Sequence, residues 1–373
     1  MDMMTDVVGS SSQAFKIRDA SSYDSVTEEF DLFTEELSKP LAARMVSLAG
    51  LALSERVLDV GTGTAVVALQ AAAPVGPNGR VIGVDLSVEM LRRARSNAVR
   101  AGLGGRVEFV RMDAEVLSFE SRSFDCVLSL YALLHFPNPL AALKEMYRVL
   151  RPGGRLVVAV GSGPPLFSRA GLKRAVRHLY NLHLKRQGRL LTAPDFLVSL
   201  VNQCLPVGIE PEESLLAAQN SNRTSRILSL ARQAGFTPVR KYWEGHETSV
   251  EDAGKFWGIQ RTFSSIARKR LLSAPREKVD ALRQEFFERC HEVQARGGQL
   301  IYPYAAFYVI GRRPPATAVA PGILPANAGF ARQLAGMRPA DRIHRKQRGV
   351  CATLGLRRKG KRGKWGNAES SDS

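Results

Sequence analysis

The 373-residue chain is 45% hydrophobic and 24% charged, ample for a globular core and long enough for two domains, or for one domain with insertions and a tail. No apolar run approaches the roughly 20 residues that span a bilayer, and the N-terminal residues lack the basic flank and apolar stretch of a signal peptide, so we expect a cytoplasmic protein. The net charge of +18 is uneven, because residues 311–373 hold 14 Lys and Arg against 3 Asp and Glu whereas residues 1–160 hold 17 against 19; a nucleic-acid function would have to rest on the C-terminal part.

The first 50 residues are predicted to form an N-terminal helical cap, and residues 51–160 then alternate strand and helix patterns joined by short turns. Five apolar stretches have the length of buried strands: VLDV, RVIGVDLS, RVEFVRMDA, FDCVLSLYALL and RLVVAV. The helices between them have recognisable ends: Pro74 stops the first, Ser87 caps the second, and Pro139 lies in the first turn of the third. Apolar strands that alternate with helices indicate an α/β fold, a mostly parallel sheet with helices on both faces.

This alternation lapses after residue 160. Residues 161–221 are predicted to be an insertion with a basic helical stretch near 166–186. Residues 222–313 return to helix and strand patterns, with a helical insertion at 249–296 and a last strand, QLIYPYAAFYVIGRR. Residues 314–373 are rich in Ala, Gly, Pro and Arg without periodicity, so we expect a basic, low-complexity and largely disordered tail.

The turn after the first strand, in VLDVGTGTAVVAL, has the composition of a ligand-binding loop. Gly61 and Gly63 permit backbone angles closed to other residues and let a ligand approach the main chain. A phosphate-binding P-loop requires a lysine that this stretch lacks, and the dinucleotide fingerprint meets Val66 where a small residue is needed. Asp59 would repel a pyrophosphate but attract an ammonium group, so the turn favours a ligand with a cationic end.

Several motifs in order carry a resemblance to a known family: VLDVGTGTA, VIGVDLS, VRMDAEVL, FDCVLS and LRPGGRLVV. They resemble the class I S-adenosylmethionine-dependent methyltransferases, and within them the small-molecule branch of the ubiquinone and menaquinone C-methyltransferases. The resemblance is close over residues 20–160 and looser near 222–244 and 299–311. It implies a Rossmann-like fold, S-adenosylmethionine as cofactor, and an enzyme that methylates a small molecule. Ala65 departs from the pattern, because the family commonly has a third glycine there.

The resemblance also implies roles for ten residues near the strand ends. Asp59 would hold the methionine ammonium, Asp85 both ribose hydroxyls and Asp113 the adenine amino group. The others would line the methionine part with their backbone (Gly61, Thr62 and Gly63), contact the adenine (Leu86, Met90 and Ala114) or face the sulfonium (Ser129). An acid at a strand end is often only a helix cap or turn residue, and a methionine only helix packing. Two acids at the expected strand ends argue against that alternative for Asp85 and Asp113.

His135, just beyond the fourth strand, is a candidate general base; the alternative is a histidine that only caps a loop. The stretch SLYALLHFPN lacks the Asn/Asp-Pro-Pro-aromatic run of methyltransferases that act on base amines or glutamine. This favours an O or C atom of a small, lipophilic or aromatic molecule as the acceptor. The scattered cysteines and the histidine spacings indicate neither a disulfide framework nor a metal site.

The insertions are expected to shape the acceptor pocket, residues 161–221 as a cap and 249–296 as a lid. One face of the basic helix is apolar and carries Leu172, Val176, Leu179, Tyr180 and His183. Such a helix can rest on anionic lipid, which suits a lipophilic acceptor and a peripheral membrane location. The alternative that we favour is a cap over the active site with a solvated basic face.

Two other functions remain open. An RNA methyltransferase could use the tail as an electrostatic anchor through RRKGKRGKW, although a single aromatic residue and the lack of a folded RNA module argue against specific nucleic-acid binding. The third hypothesis is a non-catalytic cofactor-binding protein. The complete set of acids and glycines argues against it, since such a protein has no need to keep every cofactor contact.

Overall fold

The computed structural model describes residues 3–163, 169–205 and 223–316. The expectations for the basic tail beyond residue 316, and for residues 164–168 and 206–222 of the insertion, lie outside this part of the chain. Among the described helices, none combines the length and apolar character needed to cross a bilayer.

An eight-stranded sheet organises the described residues. Its strands are β1 (Arg56–Val60), β2 (Arg80–Asp85), β3 (Val107–Arg111), β4 (Phe124–Leu130), β5 (Leu150–Gly161), β6 (Leu190–Thr192), β7 (Val239–Ser249) and β8 (Gln299–Arg312). They lie in the order β3-β2-β1-β4-β5-β8-β6, and β7, outside this order, also pairs with β8. β1 to β5 are parallel, whereas β8 is antiparallel to β5 and β7. The predicted mostly parallel, Rossmann-like sheet is confirmed.

Helices cover both faces of this sheet. Before β1 stand α1 (Met3–Asp24), α2 (Thr27–Phe33), a π-helical segment (Thr34–Ser38) and α3 (Lys39–Ala49). The later helices are α4 (Val66–Val75), α5 (Val88–Arg100), α6 (Pro139–Val149), α7 (Arg169–Arg186), α8 (Asp195–Cys204), α9 (Arg223–Gln233), α10 (Ala253–Phe263), α11 (Ser265–Ser273) and α12 (Arg276–Ala295), with a short 3-10 turn at Leu133–His135.

Alternation along the strands builds one hydrophobic layer on each face of the sheet. Val57 packs with apolar residues of α3, α4 and α5, and its neighbour Leu58 packs with those of α6 and α9. A third cluster joins α8, α10 and α12 to the start of β8 around Phe256 and Phe286. Because both faces are covered, the ligand-binding positions of the parallel strands are at their carboxyl ends, along one edge of the sheet.

Local signals place most element boundaries. Ser87 caps α5 by accepting from the Met90 amide at 3.1 Å, and Asn138 caps α6 directly before Pro139. Pro74 does not stop α4, which continues to Val75 and ends at Gly76 with φ of +69°. A proline in the last turn costs little, because the helix has no further turn to distort.

Two further differences from the expectations concern strands and an extra helix. β5 already begins at Leu150, so Pro152, Gly153 and Gly154 lie inside the strand, opposite an irregularity in the pairing with β4. β6 and α8 were not among the predicted elements. Three residues are too few for β6 to show a strand period, and its pairing with β8 depends on residues more than 100 positions later in the chain.

Candidate functional site

A cavity of about 1080 Å³ opens at the carboxyl ends of the parallel strands. Asp59 of β1, Asp85 of β2, Leu130 of β4 and Gly161 of β5 all line it. Nine of the ten residues predicted to bind the cofactor line this cavity, and so does His135; the exception is Ser129. The strand ends therefore bring these residues together, although they are spread along the sequence from Asp59 to His135.

The glycine turn is held close to the main chain of neighbouring elements. The amides of Gly61 and Thr62 both donate to the carbonyl of Val84, at 2.8 and 3.0 Å. Gly61 has φ of +72°, and a Cβ there would overlap the side chain of Ala132. Only glycine satisfies both conditions at this position.

Ala65, where the family commonly has a third glycine, adopts a left-handed backbone. It precedes α4 with φ of +79° and is fully buried. The left-handed region costs an L-residue with a Cβ roughly 1–2 kcal/mol. The turn thus keeps the geometry that a glycine would give, at the cost of local backbone strain.

Asp59 is a buried carboxyl group beneath this turn. Its Oδ2 accepts from the Thr62 hydroxyl at 2.7 Å. Burial raises the pKa of Asp59 to about 7, although the hydrogen bond from Thr62 acts in the opposite direction. A positively charged ligand group at this carboxyl would favour its ionised form.

Asp85 reaches across the end of β2 to the glycine turn. Its two oxygens accept from the backbone amides of Gly63, at 2.9 Å, and Ser87, at 3.0 Å. Burial raises the pKa of Asp85 above its usual range, and these backbone hydrogen bonds oppose the effect. The two amides fix the orientation of the carboxylate towards the cavity.

Asp113 follows β3 and forms an ion pair with Lys16 of the N-terminal helix α1. Its Oδ2 accepts from Lys16 Nζ at 2.8 Å, while its Oδ1 accepts from the Glu115 amide at 2.9 Å. Lys16 also contacts Glu115 at 2.7 Å. The lysine offsets the negative charge of both carboxylates, and α1 is thereby fastened over this end of the cavity.

His135 lies between two other residues of α1. Its Nδ1 is 3.0 Å from Asp19 Oδ2, and its Nε2 is 3.2 Å from the Tyr23 hydroxyl. Burial alone would raise the pKa of Asp19, but His135 and Lys269 together hold it well below its usual value. In the tautomer whose Nδ1 donates to Asp19, Nε2 carries the lone pair and faces the Tyr23 hydroxyl.

The contribution of α1 was not predicted from the sequence. Lys16, Asp19 and Tyr23 recur at intervals of three and four residues, which places them on one face of a helix. That spacing is the signal that could have identified them. The spacing does not show which pocket this helix face covers, because the partners of these three residues lie 97 to 116 positions later in the sequence.

Ser129 does not reach the cavity. It is fully buried, and among the described residues its hydroxyl has no hydrogen-bond partner. Alternation along β4 directs it into the sheet face opposite the one occupied by Leu128 and Leu130. Tyr131 instead lines the cavity, with an unusual φ of +64° for a bulky side chain and its hydroxyl donating to the Ala305 carbonyl at 3.0 Å.

The basic helix α7 lies beside the cavity. Its residues Lys173, Arg174, Arg177, His178 and Lys185 line the cavity. The opposite face of α7 is apolar and exposed, with Leu172, Val176 and Leu179 each more than 60% accessible. The basic residues that line the cavity are themselves exposed to solvent, so the cap with a solvated basic face stays a prediction.

The donors and acceptors around the glycine turn fit a ligand with several cationic or hydrogen-donating groups. Buried carboxyl groups at the ends of β1 and β2 suit an ammonium group and a diol, and Asp113 suits an amino group. Met90 and Leu86 add apolar surface on the same side. Within the described ranges, no three acids, histidines or cysteines converge as they would around a metal ion.

Comparison with known proteins finds a methyltransferase domain in this chain. The model of a methyltransferase domain family matches residues 57–154. Over 157 residues the chain is 36% identical to the ubiquinone/menaquinone biosynthesis C-methyltransferase of Hahella chejuensis, covering 40% of this chain and 63% of that protein. The corresponding Pseudomonas putida enzyme is 36% identical over 149 residues, covering 39% and 58%. The chain thus spans less than two thirds of the length of the curated relatives that it matches.

Solved structures with a similar fold include that of YcgJ, a protein from Bacillus subtilis. It is 20% identical, with a TM-score of 0.44, over 74% of this chain and 98% of that protein. The family match covers the first four parallel strands, the start of β5 and the strand-end acids described above. Residues 57–154 therefore match a methyltransferase domain, and the chain resembles the ubiquinone/menaquinone biosynthesis C-methyltransferases over about 40% of its length.

Proposed function

We propose that this protein transfers the methyl group of S-adenosylmethionine to an O or C atom of a small, lipophilic or aromatic molecule. The observation that carries the proposal is one cavity that is lined by Asp59, Asp85 and Asp113, by the glycine turn and by His135. Its volume of about 1080 Å³ is at the upper end of small-molecule sites, roughly 300–1,000 Å³, so it has room for two ligands.

The chain's own residues would hold the cofactor by complementary charge and hydrogen bonding. We assign the ammonium to Asp59, the ribose hydroxyls to Asp85 and the adenine amino group to Asp113. The backbone of Gly61, Thr62 and Gly63 lines the methionine part, Leu86 and Met90 pack on the adenine, and the Ala114 amide bonds the ring. When bound, the cofactor supplies an activated sulfonium methyl, so the protein's contribution is positioning and exclusion of water.

His135 is our candidate for the group that removes the acceptor's proton. In the tautomer whose Nδ1 donates to Asp19, Nε2 contacts the Tyr23 hydroxyl and would take a proton from that hydroxyl or from an acceptor that replaces it. Burial raises the pKa of Tyr23, which keeps this hydroxyl protonated until a base takes its proton. Positioned acid–base groups of this kind contribute about 10²–10⁴-fold to a rate.

We place the acceptor against an aromatic part of the cavity lining, between the glycine turn and α7. Tyr131, Tyr302 and Tyr304 line it, and burial raises the pKa of all three, so they stay neutral. Neutral aromatic rings favour stacking with an aromatic or lipophilic acceptor. Ser129, fully buried and not among the cavity-lining residues, has no role in this proposal.

Calorimetric titration with S-adenosylmethionine and with NAD tests the cofactor assignment. We expect the methionine cofactor to bind and NAD not to. Asp85→Ala should weaken binding at least about tenfold, because unpaired ribose hydroxyls cost about 1–3 kcal/mol each. Asp125→Ala is the matched control: this carboxylate pairs with Arg151 and accepts from the Arg56 amide at the opposite end of the sheet.

Transfer of a radiolabelled methyl group to phenols, quinols or RNA tests the acceptor class. Label on small phenols or quinols supports the proposal. Tighter binding of NAD, unchanged affinity in folded Asp85→Ala protein, or label on RNA alone would each contradict part of it.

A further inference from the structure

The end of the cavity away from the glycine turn is basic. Lys173, Arg174, Arg177 and Lys185 of α7 line it, beside β7 and the end of β5. The carboxylates proposed to bind the cofactor belong to β1, β2 and the loop after β3, on the other side of β4 in the sheet order. The cavity is thus acidic at one end and basic at the other.

Only part of this positive charge is balanced by neighbouring acids. Arg177 pairs with Glu247 of β7. Within the described part of the chain, Lys173, Arg174 and Lys185 have no carboxylate at ion-pair distance, although Asp195 lines the same end of the cavity. These three cations are therefore available to a ligand.

Arg174 has a defined position at the end of β5. A Cβ on Gly163 would overlap the Arg174 guanidinium, so the absence of a side chain at Gly163 makes room for it. The backbone next to this glycine is fixed, because the Trp243 indole donates to the Ser162 carbonyl at 2.9 Å. The guanidinium thus lies beside the strand end that bounds the acceptor space.

The middle of the cavity links the two ends with aromatic surface. Tyr302 and Tyr304 stack with ring centroids 6.3 Å apart, and His246 stacks on Tyr304 at 5.4 Å. A ring that lies here has the glycine turn on one side and α7 on the other. A substituent that points away from the methylated atom would point towards the cations.

We propose that Lys173, Arg174 and Lys185 bind an anionic group of the methyl acceptor, a carboxylate, sulfonate or phosphate remote from the methylated atom. The substrate class is then an aromatic or lipophilic acid, and this inference rests on the function proposed above. The cations are exposed to solvent in the open cavity, so they remain hydrated until an anion exchanges water for charge-assisted hydrogen bonds.

A matched pair of fluorescent probes tests this proposal. 8-Anilino-1-naphthalenesulfonate and N-phenyl-1-naphthylamine share one aromatic skeleton and differ in the sulfonate. Their affinities are measured on the full chain saturated with S-adenosylhomocysteine, so that the cofactor end is filled. We expect the sulfonate to bind more tightly than the neutral probe.

Neutral variants of the lining cations should separate the two probes. Lys173→Gln, Arg174→Gln and Lys185→Gln should each weaken sulfonate binding about three- to tenfold and change the neutral probe less than twofold. Arg186→Gln is the matched control. It removes one positive charge from the same helix, at a residue that does not line the cavity. Gly163→Ala, which keeps the charge but shifts the guanidinium, should weaken sulfonate binding less than Arg174→Gln.

Equal affinity of the two probes, or equal effects of Arg186→Gln and the lining variants, would overturn the proposal. The same is true if every variant weakens both probes alike. Because S-adenosylhomocysteine binding is measured first, failure of the cofactor assignment is seen separately. A protein that binds the cofactor but shows no preference for the sulfonate retains its proposed function and loses only the anionic acceptor.

Discussion

Asp59 and Asp85 lie at the ends of adjacent parallel strands, and burial acts on both carboxyl groups. For Asp59 the pKa rises from 3.8 to about 7. A carboxylic acid with that pKa is largely neutral in the cofactor-free protein below neutral pH. It must lose its proton to pair with an ammonium group, so ligand binding and proton release are linked.

The affinity for S-adenosylhomocysteine should therefore depend on pH through Asp59. Between pH 5.5 and 7 the ligand's ammonium stays charged, while Asp59 changes from neutral to ionised. We expect affinity to rise with pH, by up to about tenfold per unit, and to level off above about pH 7. Calorimetry across this range measures it. Asp59→Asn should bind more weakly and flatten the profile; a slope of the same size in the variant would assign the proton to another group.

The strained Ala65 leads to a second prediction at the residue scale. Ala65→Gly relieves the left-handed strain, but it loses a buried Cβ and adds chain entropy to the unfolded state. These effects nearly cancel, so we expect the free energy of unfolding to change by less than about 1 kcal/mol. Ala68→Gly, one turn later in α4 and equally buried, has no strain to relieve and should cost more than about 1 kcal/mol. Urea denaturation of both variants compares them, and an equal loss would mean that Ala65 is not strained.

At the scale of elements, α1 is anchored through a buried arginine of α11. Arg268 is fully buried, with its guanidinium 3.7 Å from the centre of the Tyr23 ring. It also donates to the Ser22 hydroxyl, at 3.2 Å, and to the Thr262 carbonyl, at 2.6 Å. The neighbouring Lys269 contacts Asp19 at 2.6 Å. α11 thus holds the helix face that bears His135's partners.

Removal of this anchor should loosen α1. Arg268→Ala loses a cation–π contact and two hydrogen bonds and leaves a cavity, so we expect about 2–4 kcal/mol of lost stability and weaker cofactor binding. Lys255→Ala removes an exposed pair with Glu36 and should cost less than about 1 kcal/mol. Chemical denaturation and calorimetry on both variants supply the comparison. Similar small losses in the two proteins would show that Arg268 does not anchor α1.

The sequence predicts the central elements well because each carries its own signal. The apolar runs around Val57 and Val157 and the cap at Ser87 depend on neighbours within a few residues, so local patterns identify β1, β5 and the start of α5. The strand-end acids follow from the same boundaries. The orientation of α7 does not follow from local patterns. The sequence shows a basic and an apolar face on this helix, but it does not show which of them lines the cavity.

Long-range pairing explains what else sequence patterns miss. Lys16 meets Asp113 only because α1 folds back over β3, and β6 exists only because β8 is beside it. Ser129 is a different case. It stands at the strand end that the family pattern indicates, yet the pleat of β4 directs its side chain into the core.

On the scale of the whole molecule, the described cavity and sheet are complete before the basic tail. The lining residues of the cavity end at Ala305, and β8 ends at Arg312. The tail, residues 317–373, accounts for much of the net charge of +18. We propose that it gives weak, non-specific attraction to polyanions or anionic membrane surfaces and takes no part in methyl transfer.

Deletion of residues 317–373 should therefore leave the free energy of unfolding, the affinity for S-adenosylhomocysteine and the methylation of small acceptors unchanged within about twofold. Binding of the full chain to heparin or to anionic vesicles should be lost on truncation and should fall steeply with salt, since an exposed charge cluster is screened within about 8–10 Å at physiological ionic strength. The assays compare full-length and truncated protein at low and high salt. If truncation abolishes methylation of every small acceptor, or if only full-length protein is active and only on RNA, the tail belongs to the catalytic function and the RNA assignment replaces the small-molecule one.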